Sequence, residues 1–414
     1  MDRILIIEDN KTLAKLIAKK IHTELKFEVD IAYNLHEAKL FLKQYKYFLA
    51  LLDLNLPDAP NGEVVDYVLK TGNHAIVLSG NIDKDFRKKI LQKNIIDYVN
   101  KSGANDINYI IQTIRRLKKN RHHTILVVDD SLVFRKQISD MLTNMFYKVI
   151  TVAHGEEALG ILSTTPDITL VITDYNMPVI NGLELTTEIR KTFTKNDLSI
   201  IALSGNNDDE VTALFLKNGA NDYIKKPFSK EEFSCRINNA VEALENVHKI
   251  INHANRDFLT GLYNRRYFYN DMQTYFENAT REHESFAIAL IDIDYFKKIN
   301  DTYGHEAGDK AIVNLADILR ANTNQTDIVA RFGGEEFCVA LKNTSSSNAL
   351  EVFERLRLTV QNSVTISDAG EEIRYTISIG VALSHEDTLN DTVNQADLLL
   401  YNAKQNGRNQ IAHN

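Results

Sequence analysis

The first half of the chain repeats itself, and the repeat is legible in its acids. Ile4-Leu5-Ile6-Ile7-Glu8-Asp9 returns 121 positions on as Ile125-Leu126-Val127-Val128-Asp129-Asp130, and Leu51-Leu52-Asp53-Leu54-Asn55-Leu56-Pro57 returns at the same offset as Ile172-Thr173-Asp174-Tyr175-Asn176-Met177-Pro178. Val77-Leu78-Ser79-Gly80 and Asp97-Tyr98-Val99-Asn100-Lys101 return 125 positions on, as Ala202-Leu203-Ser204-Gly205 and Asp222-Tyr223-Ile224-Lys225-Lys226. In each copy, apolar runs that end in a polar residue alternate with helical patterns such as Leu13, Leu16, Ile17, Lys20 and Ile21. That alternation specifies βαβ units on a parallel sheet buried on both faces. Ligand crevices in such sheets lie beyond the carboxyl ends of the strands, so Glu8, Asp9, Asp53, Ser79 and Lys101 converge there. Three acids beside a lysine make a site suited to Mg²⁺.

Each copy resembles the receiver domain of two-component response regulators, over residues 1–118 and 122–245. The resemblance implies a flavodoxin-like, doubly wound α/β fold, with Asp53 and Asp174 accepting a phosphoryl group. It also implies that Glu8 with Asp9, and Asp129 with Asp130, hold Mg²⁺, and that the backbone carbonyls of Asn55 and Asn176 complete the metal shell. Ser79 or Ser204 and Lys101 or Lys226 receive the phosphoryl oxygens. Tyr98 and Tyr223 stand where the family has its switch aromatic, and a sensor histidine kinase or phosphotransfer protein is the implied donor. The copies differ in one respect: the second has Lys226-Pro227-Phe228, where the family aims the lysine with a cis Lys-Pro bond. The first has Lys101-Ser102-Gly103, and its Asp53-to-Gly62 loop is one residue longer than Asp174-to-Gly182. Asp174 is therefore the stronger phosphorylation candidate, and Lys101 is expected to be less well aimed. For either copy the alternative is an unphosphorylated docking or dimerisation domain.

At 414 residues the chain exceeds one ordinary core, and usual domain sizes suggest about three domains. A formal charge of −8 argues against nucleic-acid binding, which normally shows as a basic surplus. The longest apolar runs, such as Phe286 to Ile291, fall far short of the roughly 20 residues that span a bilayer, so no membrane contact is expected. The opening residues Met1 to Glu8 lack the apolar stretch of a secretory signal. Two cysteines, Cys235 and Cys338, lie far apart, with no Cys or His spaced as metal ligands. A reducing, cytoplasmic setting is expected.

From Ile237, apolar residues fall at Val241, Leu244, Val247 or His248, and Ile251, a 4-3-4-3 spacing on one helix. Residues 236–256 therefore read as a helical linker, either packed on its own receiver or paired in a coiled coil.

Beyond it stand Asp257-Phe258-Leu259-Thr260-Gly261-Leu262-Tyr263-Asn264-Arg265-Arg266 and an apolar run, Phe286 to Ile291, that reads as a buried strand with Asp292 at its end. A carboxylate there calls for a cation. Arg331-Phe332-Gly333-Gly334-Glu335-Glu336-Phe337 reads as a hairpin whose two glycines take the turn and lift two carboxylates into solvent. These segments, with Asn300-Asp301-Thr302-Tyr303-Gly304-His305-Glu306-Ala307-Gly308-Asp309, Thr376-Ile377-Ser378-Ile379-Gly380 and Ala403-Lys404-Gln405-Asn406-Gly407-Arg408-Asn409, resemble the GGDEF domain of diguanylate cyclases in its GGEEF form, over 255–414. The resemblance implies an α+β, nucleotide-cyclase-like palm that joins two GTP into cyclic di-GMP, with two facing domains in a homodimer. Asp292, Glu335 and the carbonyl of Ile293 would ligate Mg²⁺, with Glu336 near the attacking hydroxyl. Asn300 and Asp309 would read guanine. Lys404 and Arg408, four apart and so on one helical face, would hold the terminal phosphates.

One frame departs from the family. Many members carry Arg-x-x-Asp five residues before the Gly-Gly, where product binds and inhibits; here it reads Asn324-Gln325-Thr326-Asp327. Asn324 removes the guanidinium fork, so product inhibition is expected to be weak or absent, with Arg355 retaining some affinity. Two other functions compete: a non-catalytic adaptor built on a degenerate cyclase domain, which the intact acids oppose, and a DNA-binding regulator, for which no helix-turn-helix stretch is present.

Overall fold

The computed structural model describes residues 2–80, 84–101, 104–205, 209–282, 284–368, 370–383 and 387–414. Ser102 and Gly103, which distinguish the first receiver's lysine segment, lie outside them. The first repeat runs β1 (Arg3–Ile7), α1 (Lys11–Leu25), β2 (Glu28–Ala32), α2 (Leu35–Gln44), β3 (Leu49–Asp53), α3 (Glu63–Lys70), β4 (Ala75–Ser79), α4 (Lys84–Leu91), β5 (Asp97–Asn100) and α5 (Ala104–Asn120). The second runs β6 (Thr124–Val128), α6 (Leu132–Asn144), β7 (Lys148–Val152), α7 (Gly155–Thr164), β8 (Ile168–Asp174), α8 (Gly182–Thr192), β9 (Ser199–Ser204), α9 (Asp209–Lys217), β10 (Asp222–Lys225) and α10 (Lys230–Asn255). Each forms a five-stranded parallel sheet of the same order, β2-β1-β3-β4-β5 and β7-β6-β8-β9-β10. Register carries the repeat to the strand ends: Asp53 pairs with Leu78 and Ser79 with Asn100, as Asp174 pairs with Leu203 and Ser204 with Lys225.

Two compact units result, Met1–Val247 and His248–Asn414. The two receivers, read from the sequence as separate domains, share one core in the first unit, with Ile4, Ile6 and Leu51 in the same cluster as Ile125, Val127 and Ile172. Phe48 of the first receiver lies 4.5 Å from Phe146 of the second, and buried Asn144 donates to the Ile95 carbonyl at 3.2 Å. Helix α10 buries Phe233, Ile237, Val241 and Leu244 in this unit, which accounts for the first half of the linker stripe. Farther along, Ile250 and Ile251 are 68% and 40% exposed.

The second unit contains β11 (Tyr263–Asn264), α11 (Arg265–Glu282), β12 (Ala287–Ile293), α12 (Phe296–Tyr303), α13 (His305–Ala321), β13 (Ile328–Gly333), β14 (Glu336–Leu341), α14 (Ser346–Asn362), β15 (Thr365–Ile366), β16 (Glu372–Ile373), β17 (Ile377–Ala382), α15 (Leu389–Gln405) and β18 (Ile411–His413). Its main sheet has the order β11-β13-β14-β12-β17-β18, antiparallel across the middle four strands. Alternation along β12 sends Ile291 and Ile293 toward α13 and α14, and Ile288 and Leu290 toward α11 and α15. Asp292 shares the second face, at the central strand's end.

Two local expectations are corrected. The hairpin turn is Gly334-Glu335, not Gly333-Gly334, because the register slips between Arg331 and Gly333 and leaves Gly333 paired with Glu336. An extra residue in one strand moves a turn by one position. Lys404 and Arg408 do not share a helical face: α15 ends at Gln405, and Gly407, Arg408 and Asn409 take φ of 115°, 63° and 46°. Left-handed backbone halts the helix there.

Candidate active and phosphoacceptor sites

In the second unit the acids meet by strand pairing. Asp292 is 6% exposed and sits opposite Glu336, while Glu335 occupies the turn beside it. Burial lifts the Asp292 carboxyl to about 6, against the pull of Lys404 and with the repulsion of Glu335 and Glu336 added. Lys404 Nζ lies 2.9 Å from Asp292 Oδ2. Asp292, Glu335 and Glu336 supply the hard carboxylate oxygens that Mg²⁺ takes, although their oxygens are not drawn within 4.8 Å of one another as those of Glu8, Asp9 and Asp53 are. Ile293, the last residue of β12, is 1% exposed and next to them.

The hairpin is held from behind by residues to which the sequence reading assigned no role. Arg331 donates to the Gly334 carbonyl through Nε at 3.0 Å and Nη2 at 2.8 Å, and its Nη1 reaches Asp257 Oδ1 at 3.0 Å. Asp257 also accepts the N–H and hydroxyl of Thr260, at 3.0 and 2.8 Å. Burial works to raise the Asp257 carboxyl, yet Arg331 and Thr260 hold it below its ordinary range. The sequence signal was an Asp three residues before a Thr, a local turn that a carboxylate closes on itself.

Asn300 on α12 packs against Gly308 of α13, the residue before Asp309, because Gly308 lacks a side chain: a Cβ there would overlap Asn300 Oδ1. That oxygen is buried and has no hydrogen-bond partner among the described residues. Asp309, next to Gly308 in the chain, is exposed. Buried polar atoms are nearly always satisfied, so an unsatisfied one next to an exposed carboxylate suits a ligand with adjacent N–H donors. Arg408 lies with its guanidinium 4.5 Å from the Tyr295 ring, and Tyr295, at φ 55°, is the N-cap of α12 with no side-chain cap of its own. A cation at an uncapped helix start is an anion-binding arrangement.

The turn carrying Asn324 is closed by Asp327, whose carboxylate accepts the Asn324 N–H at 2.8 Å. Arg355 points to the neighbouring Asn322 carbonyl at 3.3 Å.

In the first receiver the oxygens of Glu8, Asp9 and Asp53 all lie within 4.8 Å of one another, a cluster that fits a divalent cation. Lys101 Nζ reaches Asp53 at 2.7 Å and Glu8 at 2.5 Å; Lys226 Nζ reaches Asp174 at 2.6 Å and Asp129 at 3.0 Å. The Lys226-Pro227 bond is cis. Lys101 is nonetheless as well aimed as Lys226, contrary to expectation, because its N–H is fixed to the Ser79 carbonyl at 2.6 Å just as that of Lys226 is fixed to Ser204 at 2.7 Å. Burial raises the Glu8 and Asp174 carboxyls, only partly offset by these lysines. Asp130 is exposed, and Asn55 and Asn176 donate their N–H groups to Asp53 and Asp174 at 3.3 and 3.0 Å. Ser79 and Ser204 are buried at the adjacent strand ends, with Tyr98 buried and Tyr223 half-buried one strand further.

Comparison with known proteins agrees with this architecture. Residues 4–115 and 125–238 match the response regulator receiver domain, and 254–410 match the family described as diguanylate cyclase, GGDEF domain. Response regulator PleD of Caulobacter vibrioides is 31% identical over 297 residues, covering 69% of this chain and 65% of that protein. Diguanylate cyclase A of Treponema denticola is 42% identical over 160 residues, 37% of this chain and 43% of the relative. This chain thus spans less than two thirds of the length of either relative. A solved structure described as a two-component system response regulator/GGDEF domain protein superposes with a TM-score of 0.53 at 35% identity, covering 59% of this chain and 100% of that one. The chain belongs to the response regulators, with two tandem receiver domains and a C-terminal GGDEF domain. Among the described residues no helix is long and apolar enough to cross a membrane.

Proposed function

We propose that the chain is a phosphorylation-controlled diguanylate cyclase that condenses two GTP into cyclic di-GMP and releases two pyrophosphates. The observation that carries this reading is the meeting of Asp292, Glu335, Glu336 and Lys404 at one strand end, with the unsatisfied Asn300 oxygen on the helix that follows. Asn300 and Asp309 accept from the ring N–H and amino group of guanine, donors that adenine does not present together. Lys404 and Arg408 hold the terminal phosphates, helped by the N-terminus of α12. On this reading Glu336, exposed opposite Asp292, takes the proton of the attacking 3′-hydroxyl. That hydroxyl attacks the α-phosphorus of the second GTP in line, and pyrophosphate leaves. Asp292, Glu335 and the Ile293 carbonyl would hold Mg²⁺, which would supply charge stabilisation during phosphoryl transfer.

Each domain holds one GTP, so turnover requires a homodimer whose geometry sets the effective concentration of one nucleotide at the other. Phosphorylation of Asp174 and Asp53 by a histidine kinase or phosphotransfer protein would control that geometry. The altered Asn324 turn leaves product a weak grip, so turnover should proceed without stalling at low micromolar product.

The test is incubation of the purified chain with GTP and Mg²⁺, followed by nucleotide chromatography. Cyclic di-GMP from the parent, and none from Glu335→Gln, supports the cyclase; nucleotide binding without product supports the adaptor.

A further inference from the structure

Asp294 lies two residues past Asp292, is 3% exposed, and among the described residues has no lysine or arginine as a hydrogen-bond partner. Its carboxylate instead accepts the Ser378 hydroxyl on Oδ1 at 2.7 Å, and the Thr376 hydroxyl and Asn409 N–H on Oδ2 at 2.7 and 3.0 Å. Its own N–H donates to the Thr376 carbonyl at 2.9 Å. A buried carboxylate with this many fixed donors acts as a geometric anchor. It joins two left-handed stretches of backbone, Tyr295 next to it in sequence and Arg408-Asn409 across the bond to Asn409. Tyr295 and Arg408 occupy a region that such bulky side chains rarely adopt without support from their surroundings, whereas Asn409 enters it more readily. Arg357 adds support from the far side, donating to the Asn409 side chain at 2.8 Å. The residue between these anchors is Arg408, with its guanidinium on the Tyr295 ring.

We propose that Asp294 is a positioning residue for the triphosphate: it brackets the end of β12 to the 407–409 turn and so presents Arg408 to the nucleotide's terminal phosphates. This rests on the cyclase reading of the same site. The bond pattern makes a specific demand on substitutions. An asparagine can keep its oxygen toward Thr376 and Asn409 and turn its amide N–H to the Ser378 oxygen, so each of the three partners keeps one hydrogen bond to the side chain, with the Ser378 bond reversed in direction. Alanine satisfies none.

The experiment measures GTP and GMP affinity by competition against a fluorescent guanine nucleotide, using the full chain, for the parent, Asp294→Ala, Asp294→Asn and Arg408→Ala. Asp294→Ala should weaken GTP by about tenfold and leave GMP unchanged, since only the terminal phosphates lose a partner. Asp294→Asn should restore GTP affinity to within about threefold of the parent, and adding Arg408→Ala to Asp294→Ala should weaken GTP no further. Equal loss of GTP and GMP, or an asparagine variant as weak as alanine, overturns the proposal; the latter would mean that the negative charge itself is required. Should Asp294→Ala fail to fold, Thr376→Ala removes one bond and must weaken GTP selectively, or the proposal is wrong. If the parent itself binds no GTP, the cyclase reading fails instead.

Discussion

Asn300 holds an amide oxygen that none of the described residues satisfies, and Gly308 is the residue that permits its position. Gly308→Ala should therefore mimic the loss of Asn300 without touching it: the KM for GTP is expected to rise roughly tenfold, by loss of about one hydrogen bond to the base. Steady-state kinetics with GTP and ITP check this; preference for GTP, which alone carries the exocyclic amino group, should fall in the variant. Arg331 acts on the hairpin rather than the base. Removing its two bonds to the Gly334 carbonyl frees the turn that carries Glu335. Arg331→Ala is expected to lower kcat by up to about a hundredfold, the effect of roughly 1 Å of misplacement, with KM changed much less. Initial rates at saturating GTP decide it.

Among the elements, α10 carries one apolar stripe whose two halves differ in burial. Its first half is core, so Ile237→Ala should destabilise the receiver unit by about 2–5 kcal/mol in a denaturant titration. Ile251, 40% exposed, should tolerate serine within about 0.5 kcal/mol, and any effect of that change should fall on dimerisation. The 4-3-4-3 spacing revealed the helix but not this division, because periodicity reports that a face is apolar and not which surface covers it. The receivers were legible for the opposite reason. Apolar runs capped by acids at fixed spacing determine both the parallel sheet and the residues at its ends, so Asp53, Asp174 and the two lysines could be placed without coordinates. What escaped was set by single backbone residues. A bulge at Arg331–Gly333 moved the turn, and Gly407 ended α15 before Arg408. Asp294 escaped because its partners, Thr376, Ser378 and Asn409, come together only through strand pairing.

At the scale of the whole molecule the two receivers lie in one compact unit, tied by Glu245 of α10 to Arg116 at 3.0 Å and to His123 of the inter-receiver segment at 2.8 Å. Burial pushes the His123 imidazole down, against the pull of Glu245. Burial would raise the Glu245 carboxyl, but Arg116 and His123 bring it below its ordinary value. Both groups therefore bind protons more readily in the unfolded chain, so stability rises with pH across their range. The His123 contribution should fade as pH falls through about 6.5, its unfolded value, toward the lower folded one, and that of Glu245 at still lower pH, below about 4.3. Calorimetry should show the receiver transition falling between pH 7.5 and 5, with His123→Gln flattening the upper part of the decline. On the proposed function, phosphorylation of this joined receiver pair controls the rate of cyclic di-GMP formation. The most direct test incubates the purified chain with GTP and Mg²⁺, with and without acetyl phosphate, alongside an Asp53→Asn, Asp174→Asn double variant. The account predicts cyclic di-GMP whose rate of formation rises with the phosphodonor in the parent and not in the double variant; GTP returned unchanged in every arm, or an equal rise in the double variant, would contradict it.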